Sequence, residues 1–485
     1  MSNFIYDFVH SLTMREKAYF KRFTEMYSTK NKNYKLLYNY IEKSKDFTMK
    51  GLKEHFKDRS FNRYLSSELN YLLDQLLKSL VNFNFNSNPA FKLHKEILFI
   101  NILMEKGYNK KAIKVLRAAK KTAYKYEDLS VILGLIQQEE EILFHEGILG
   151  FTDKLVELQK EREKVSAQIS NLNALRMLRE QIREFQFSVG FVYDTSKYPS
   201  IFNHPLLKSK DEALSKRALE HWYYVIVFRF YLTRKHAKSS EVSEEYLNFV
   251  ENNLHIFKDS VLLPLLSNYL YACLLSVDYS TFSIVLKKLE ALIDDPKLDN
   301  VYINYIRYSR IMDMKFDSSS RYSTASLMPE ITVYANENLD ELTDVQAEYF
   351  LRLLTRHCVL NENFTGALKW INKLFGSRLV NDTLDQTRIY SLIIYFELGW
   401  YEKLDIELKT AKKVLKEHKM FTELASSFNR FFTDYIKNPD QIEQQFLLLE
   451  KELYRISIDK KQNFPFQHFD YLEWCKTYKS KHQLA

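Results

Sequence analysis

Between Tyr390 and Leu415 the chain reads as two amphipathic helices folded back about one glycine, and the same layout returns elsewhere. Leu392 and Tyr395 share a face of the first helix. Gly399 ends it, because a residue without a Cβ enters the left-handed backbone region freely and caps helices there. Tyr401, Leu404, Leu408 and Ala411 then recur at spacings of 3, 4 and 3, one stripe of a second helix. Composition points the same way. The 485 residues include 9 glycines and 8 prolines, against roughly 7% and 5% in an average protein. Sheets and Gly-rich active-site loops need turn residues, so this scarcity predicts long helices with short connections.

A chain of this length is too long for one compact core, whereas a stack of helix pairs needs no central core. Hydrophobic residues make up 46%, enough to bury apolar surface throughout. Cys273, Cys358 and Cys475 lie far apart and form no CxxC, which argues against a disulfide framework and for the cytoplasm. The N-terminal MSNFIYDFVHSLTMREK lacks a basic leader and is not expected to be a signal peptide. The longest uncharged run, Val261 to Val277, is shorter than the roughly 20 apolar residues of a membrane span. It contains Pro264 and is expected to form a buried helix pair, with no membrane anchor.

Four segments follow from the pattern. Residues 1–88 form a basic N-terminal helical module, with a capping box at Thr13 to Glu16 and a long helix from about Phe61 to Phe83 lined by Leu65, Leu69, Leu72, Leu76 and Leu80. The polar Asn82 to Pro89 breaks that pattern. Residues 89–190 hold further helix pairs and a long helix from about Thr152 to Phe187. Residues 191–208, with Pro199 and Pro205, read as a linker. Residues 209–485 return to helix pairs, with an irregular stretch at Tyr322 to Pro329 and a short turn at Asn438-Pro439.

The pairs share a layout. Phe99, Ile100, Leu103, Gly107, Ala112, Leu116 and Ala119 form one unit, and Leu392 to Ala411 another. Leu354, Cys358, Phe364, Ala367, Ile371 and Leu374 make a third, in which Glu362 stands where Gly399 does, 37 residues earlier. Tyr269, Leu270, Cys273, Tyr279, Phe282, Leu286 and Leu289 make a fourth. This spacing resembles the tetratricopeptide repeat, a helix-turn-helix of about 34 residues, over about half of the chain. The resemblance implies an all-α, TPR-like α-solenoid: a superhelix of antiparallel helix pairs whose concave face binds peptides or partner proteins. It implies no ligand residues.

No phosphate-binding loop, dinucleotide fingerprint, nucleophile elbow or HExxH motif is present, so no catalytic residue, cofactor or metal is expected. His357-Cys358 is the only His–Cys neighbour pair. Its two side chains point about 100° apart on a helix, and Cys358 falls on a core position, which favours a structural cysteine. Glu139-Glu140-Glu141 reads as a solvated face.

Two basic features stand out. Residues 1–125 hold 25 Lys+Arg and 11 Asp+Glu, a net of +14, while the rest of the chain holds 45 and 51, a net of −6. Within the basic quarter, Lys110, Lys114, Arg117, Lys121 and Lys125 fall on one narrow stripe of a helix, opposite Ala112, Leu116, Ala119 and Ala123. The plainer reading is a solvated outer helix balanced by acids from its neighbours. The sharper one is a track for a phosphate backbone or an acidic partner. The second feature is Phe47 to Leu80, where a helix-turn-helix would present Arg59, Asn62, Arg63 and Ser66 to bases. The long leucine stripe favours a capping module there instead. The expectation is therefore a non-catalytic protein–protein interaction scaffold or adaptor. The alternative is a nucleic-acid-binding regulator with a basic N-terminal reader and a TPR-like sensor or oligomerisation region.

Overall fold

The computed structural model describes the chain except Met1, 27–32, 45–46, Asn88, 147–150, 189–194, Lys258, 294–297, 314–323, 377–383, 418–421, 460–463, His468 and Ala485. Among the described residues every regular element is a helix, so the all-α expectation holds. Contacts divide the chain into two compact units, Met1–Ser170 and Asn171–Ala485.

In the first unit, Leu65, Leu69, Leu72 and Leu76 of the helix Leu65–Ser87 are buried with Leu37, Ile41 and Leu52 from the preceding helices. The capping box forms as expected: the Thr13 amide donates to the Glu16 carboxylate at 2.8 Å, and the Glu16 amide to Thr13 Oγ1 at 3.3 Å. The expected break at 82–89 falls late in that segment. The helix runs on to Ser87, with the Phe83 ring tilted against Tyr19 at 5.3 Å between centres, and Pro89 opens the next helix, where its missing N–H costs nothing. Pro89–Glu105, Asn109–Lys125 and Leu129–Glu146 follow, each packed against the next.

In the second unit the helices come in consecutive antiparallel pairs, from Lys216–Leu232 with His236–Glu251 to Glu423–Lys437 with Ile442–Ile458. Tyr471–Lys481 packs on the last of them. From Asp259–Leu275 onward, the first helix of each pair also packs against the first helix of the next. Three expectations are corrected here. Val261–Val277 is not a helix pair: Val261 to Leu275 belong to one helix, Asp259–Leu275, and Val277 lies in the turn after it, with Pro264 early enough to cost a single backbone hydrogen bond. The stretch from Thr324 to Pro329 is helical, and the rest of Tyr322–Pro329 lies outside the described residues. Where it is described, 191–208 is packed rather than loose. Phe202 and Leu207 are buried with Leu175, Leu178, Ile182 and Phe185.

One turn recurs at the junctions. Gly107 (φ 75°), Glu127 (49°), Arg234 (56°), Val277 (60°), Glu362 (56°) and Gly399 (68°) are all left-handed. At each, the left-handed residue donates its amide to a carbonyl three residues back, and its successor donates five back. Examples are Gly399 to Phe396 at 3.0 Å with Trp400 to Tyr395 at 2.9 Å, and Val277 to Leu274 at 3.2 Å with Asp278 to Cys273 at 2.9 Å. This double bond satisfies carbonyls that a helix end leaves open, and it reverses the chain within three residues.

A buried polar chain joins successive first helices. Arg310 donates to the Ser267 carbonyl at 3.1 Å, to Asp313 at 2.7 Å and to Tyr349 at 3.1 Å. Tyr349 donates to Asp313 at 2.5 Å, and Arg356 donates to the Met312 carbonyl. A buried ion pair adds little net stability over an apolar filling, but removing one partner strands the other charge, so such a network fixes register.

Val277 is β-branched, strained by its left-handed backbone and 63% exposed, so its side chain contributes little packing. Val277→Gly should stabilise the second unit by about 1 kcal/mol, read as a higher urea midpoint at unchanged slope. A fall in midpoint would show that the strain is absent.

Candidate polyanion-binding surface

The helix Asn109–Lys125 follows from its sequence. Ala112, Leu116, Ala119 and Ala123 are its buried residues, and three of the four are small, which lets neighbouring helices approach closely. The opposite face carries the expected stripe. Lys110, Lys114, Arg117, Lys121 and Lys125 are all exposed, and at 1.5 Å per residue they span about 22 Å. Lys110, Lys114, Arg117 and Lys121 form no ion pair or hydrogen bond with any described residue. Lys125 lies with its ammonium 5.5 Å from the Tyr126 ring centre.

The acids expected to balance this helix are present, but they serve one cation at its edge. Lys120, 12% exposed, pairs with Glu139 at 2.8 Å and with Glu161 at 2.7 Å. Glu161 also accepts from the Tyr124 hydroxyl at 2.5 Å, and Glu140 pairs with Arg162. Glu139 and Glu140 are thus engaged between helices rather than forming a solvated face. Among the described residues Lys110, Lys114, Arg117 and Lys121 stay uncompensated. In water each like-charged i,i+4 pair costs only about 0.2–0.5 kcal/mol, and the row attracts any polyanion that reaches it, with a strength that falls steeply with salt.

Arg59 and Arg63 are also exposed, but on another element, the turn and 3-10 segment Ser60–Tyr64 that leads into Leu65–Ser87. Asn62 is not free to read a base. Its side-chain amide donates to the Lys53 carbonyl at 3.0 Å and locks the turn. The leucine face of Leu65–Ser87 packs on Met14–Met26 and Asn33–Lys43, so this helix is the centre of a bundle.

His357 and Cys358 are both buried. Cys358 is buried and its thiol is pushed up to about 11 by burial. Burial, aided by the adjacent Arg356, pushes the His357 imidazole down to about 4. Among the described residues no three His, Cys, Asp or Glu side chains gather as a metal site requires, and no helix is long and apolar enough to cross a membrane.

One surface was missed from sequence. Phe99, assigned to a repeat core, is 47% exposed, while Leu93 and Ile100 are the buried residues of Pro89–Glu105. Phe91, Leu98 and Ile102, at spacings of 7 and 4, form a second apolar stripe on that helix, and that double patterning was the available signal.

The imidazole of His357 yields a pH prediction. Its ordinary value is 6.5 and its folded value about 4. Between these the unfolded chain binds a proton that the folded chain refuses. Stability therefore falls as pH drops from 6.5 to 4, by up to about 3 kcal/mol from this residue. His357→Leu should flatten that part of the slope in urea titrations at several pH values. An unchanged slope would mean that the ring protonates in the fold.

No protein-family model matches the chain, and neither a curated protein nor a solved structure matches it.

Proposed function

We propose that this chain is a non-catalytic, cytoplasmic interaction scaffold or adaptor, a TPR-like stack of helix pairs that captures acidic segments of partner proteins. The observation that carries this reading is the uncompensated row of Lys110, Lys114, Arg117 and Lys121 beside a Lys120 that is paired twice. Acids in reach of the helix are spent on its edge, and the outward row is left for a ligand from outside. The row sits on a helix flanked by neighbours, which suits a narrow acidic segment lying along it.

The second reading is a nucleic-acid-binding regulator, and the exposed Arg59 and Arg63 in the same basic quarter favour it. Five phosphate contacts would give a log–log salt slope of about −3.5 to −4.5.

One experiment separates the two. The intact chain and a Lys114→Glu/Arg117→Glu/Lys121→Glu variant are used at low salt to capture ligands from a lysate of the source cells, with and without nuclease. Proteins retained after nuclease by the parent chain and lost at least tenfold by the variant support the scaffold. Loss on nuclease treatment supports the regulator. Equal capture by parent and variant would remove the row from either role.

A further inference from the structure

The second helices of the pairs in the second unit show what a water-facing helix of this chain looks like. Among the described residues His236–Glu251 and Phe364–Phe375 expose no large apolar side chain, and Tyr279–Glu290 and Thr324–Asn338 expose one each, Ile284 and Val333. Tyr401–Glu417 exposes Tyr401 and Ile406, which point about 140° apart. Ile442–Ile458, the last of them, is different. Phe446, Leu449, Leu453 and Ile456 are buried, yet Leu447, Leu448, Tyr454 and Ile458 are 57%, 58%, 61% and 63% exposed. At 100° per residue Leu447, Lys451, Tyr454 and Ile458 fall within an arc of about 60°, a stripe about 16 Å long. A soluble protein rarely leaves large apolar side chains clustered in water without a use for them.

One charge lies in the middle of this stripe. Elsewhere on the helix Glu450 pairs with Lys479 at 3.5 Å, Arg455 with Glu423 at 2.5 Å and Glu452 with Arg430, and Glu443 is engaged as well. Exposed Lys451 is the one charged residue of Ile442–Ile458 that forms no ion pair or hydrogen bond with any described residue. An ammonium shut away from water without a counter-charge opposes association, so whatever covers the stripe must bring a carboxylate to its middle. A two-fold pair of this chain brings none. Parallel helices set Lys451 against itself. Antiparallel helices bring Glu443 opposite Lys451 only in a register that leaves Tyr454 and Ile458 beyond the end of the facing helix. We infer that this face docks an amphipathic helix of a partner protein that carries one Asp or Glu between its apolar turns, opposite Lys451. The inference extends the scaffold reading to the second unit and does not depend on the basic row of Asn109–Lys125.

The test uses the full chain and a synthetic helical peptide of about 15 residues, with Leu at positions i, i+3, i+11 and i+14 and Glu at i+7, a pattern that reads the same in either direction. A control peptide has Lys in place of that Glu. The first peptide should bind at least tenfold tighter than the control, and Tyr454→Glu/Ile458→Glu should remove binding. Lys451→Glu should reverse the preference between the two peptides, an outcome that misfolding cannot imitate. The Lys114→Glu/Arg117→Glu/Lys121→Glu variant should bind within about twofold of the parent, so failure of the basic row and failure of this face remain distinguishable. Equal binding of both peptides, or binding that survives Tyr454→Glu/Ile458→Glu, would overturn the proposal. A dimer in sedimentation velocity that Tyr454→Glu/Ile458→Glu dissolves would overturn it too, since a second copy would then cover the face.

Discussion

The left-handed residue that ends a helix is the constraint on which most of the architecture depends. It places two amides against the last carbonyls of one helix and starts the next within three residues. With no loop to spare, the second helix must lie antiparallel to the first, and their apolar faces meet. Each large side chain buried there contributes roughly 1.5–3 kcal/mol, well above the 1–2 kcal/mol that a left-handed ordinary residue costs. Glu127, Arg234, Val277 and Glu362 can therefore hold this backbone without being glycine.

That balance explains what was legible in the sequence. Gly107 and Gly399 announced their turns because glycine is the residue the turn prefers, and Glu362 was legible by alignment with Gly399. Glu127, Arg234 and Val277 were not, since nothing local distinguishes an ordinary residue held left-handed by the packing of two helices. The apolar faces of Leu65–Ser87 and Asn109–Lys125 were legible because each has one stripe. Pro89–Glu105 has two, and which of them is covered depends on which helices arrive. Phe99 reads as core for that reason and lies half in solvent, as does Tyr401, the first residue of its own helix. Pro264 and Pro329 suggested breaks, but each sits in the second turn of its helix, where a missing amide costs one bond.

Charge is handled differently in the two units. In the second, charged side chains close on one another in the interior: Arg310 with Asp313, Arg179 with Glu220 at 3.1 Å, Arg388 with Glu407 at 2.8 Å. Such pairs specify which helices meet rather than adding much stability. In the first, the acids near Asn109–Lys125 are used at its edge and the outward cations are left over. The position of the stripe could be read from a 100° wheel. Its lack of compensation could not, because Glu139 and Glu161 are brought to Lys120 only by the packing of three helices.

The central claim is that the outward row of Asn109–Lys125 is a docking site for acidic protein segments. The most direct measurement is amide hydrogen exchange of the full chain with and without polyglutamate at low salt. The account predicts slowed exchange concentrated in residues 109–125 and lost at high salt. Protection confined to Arg59–Ser87 or to the second unit, or no protection at all, would contradict it.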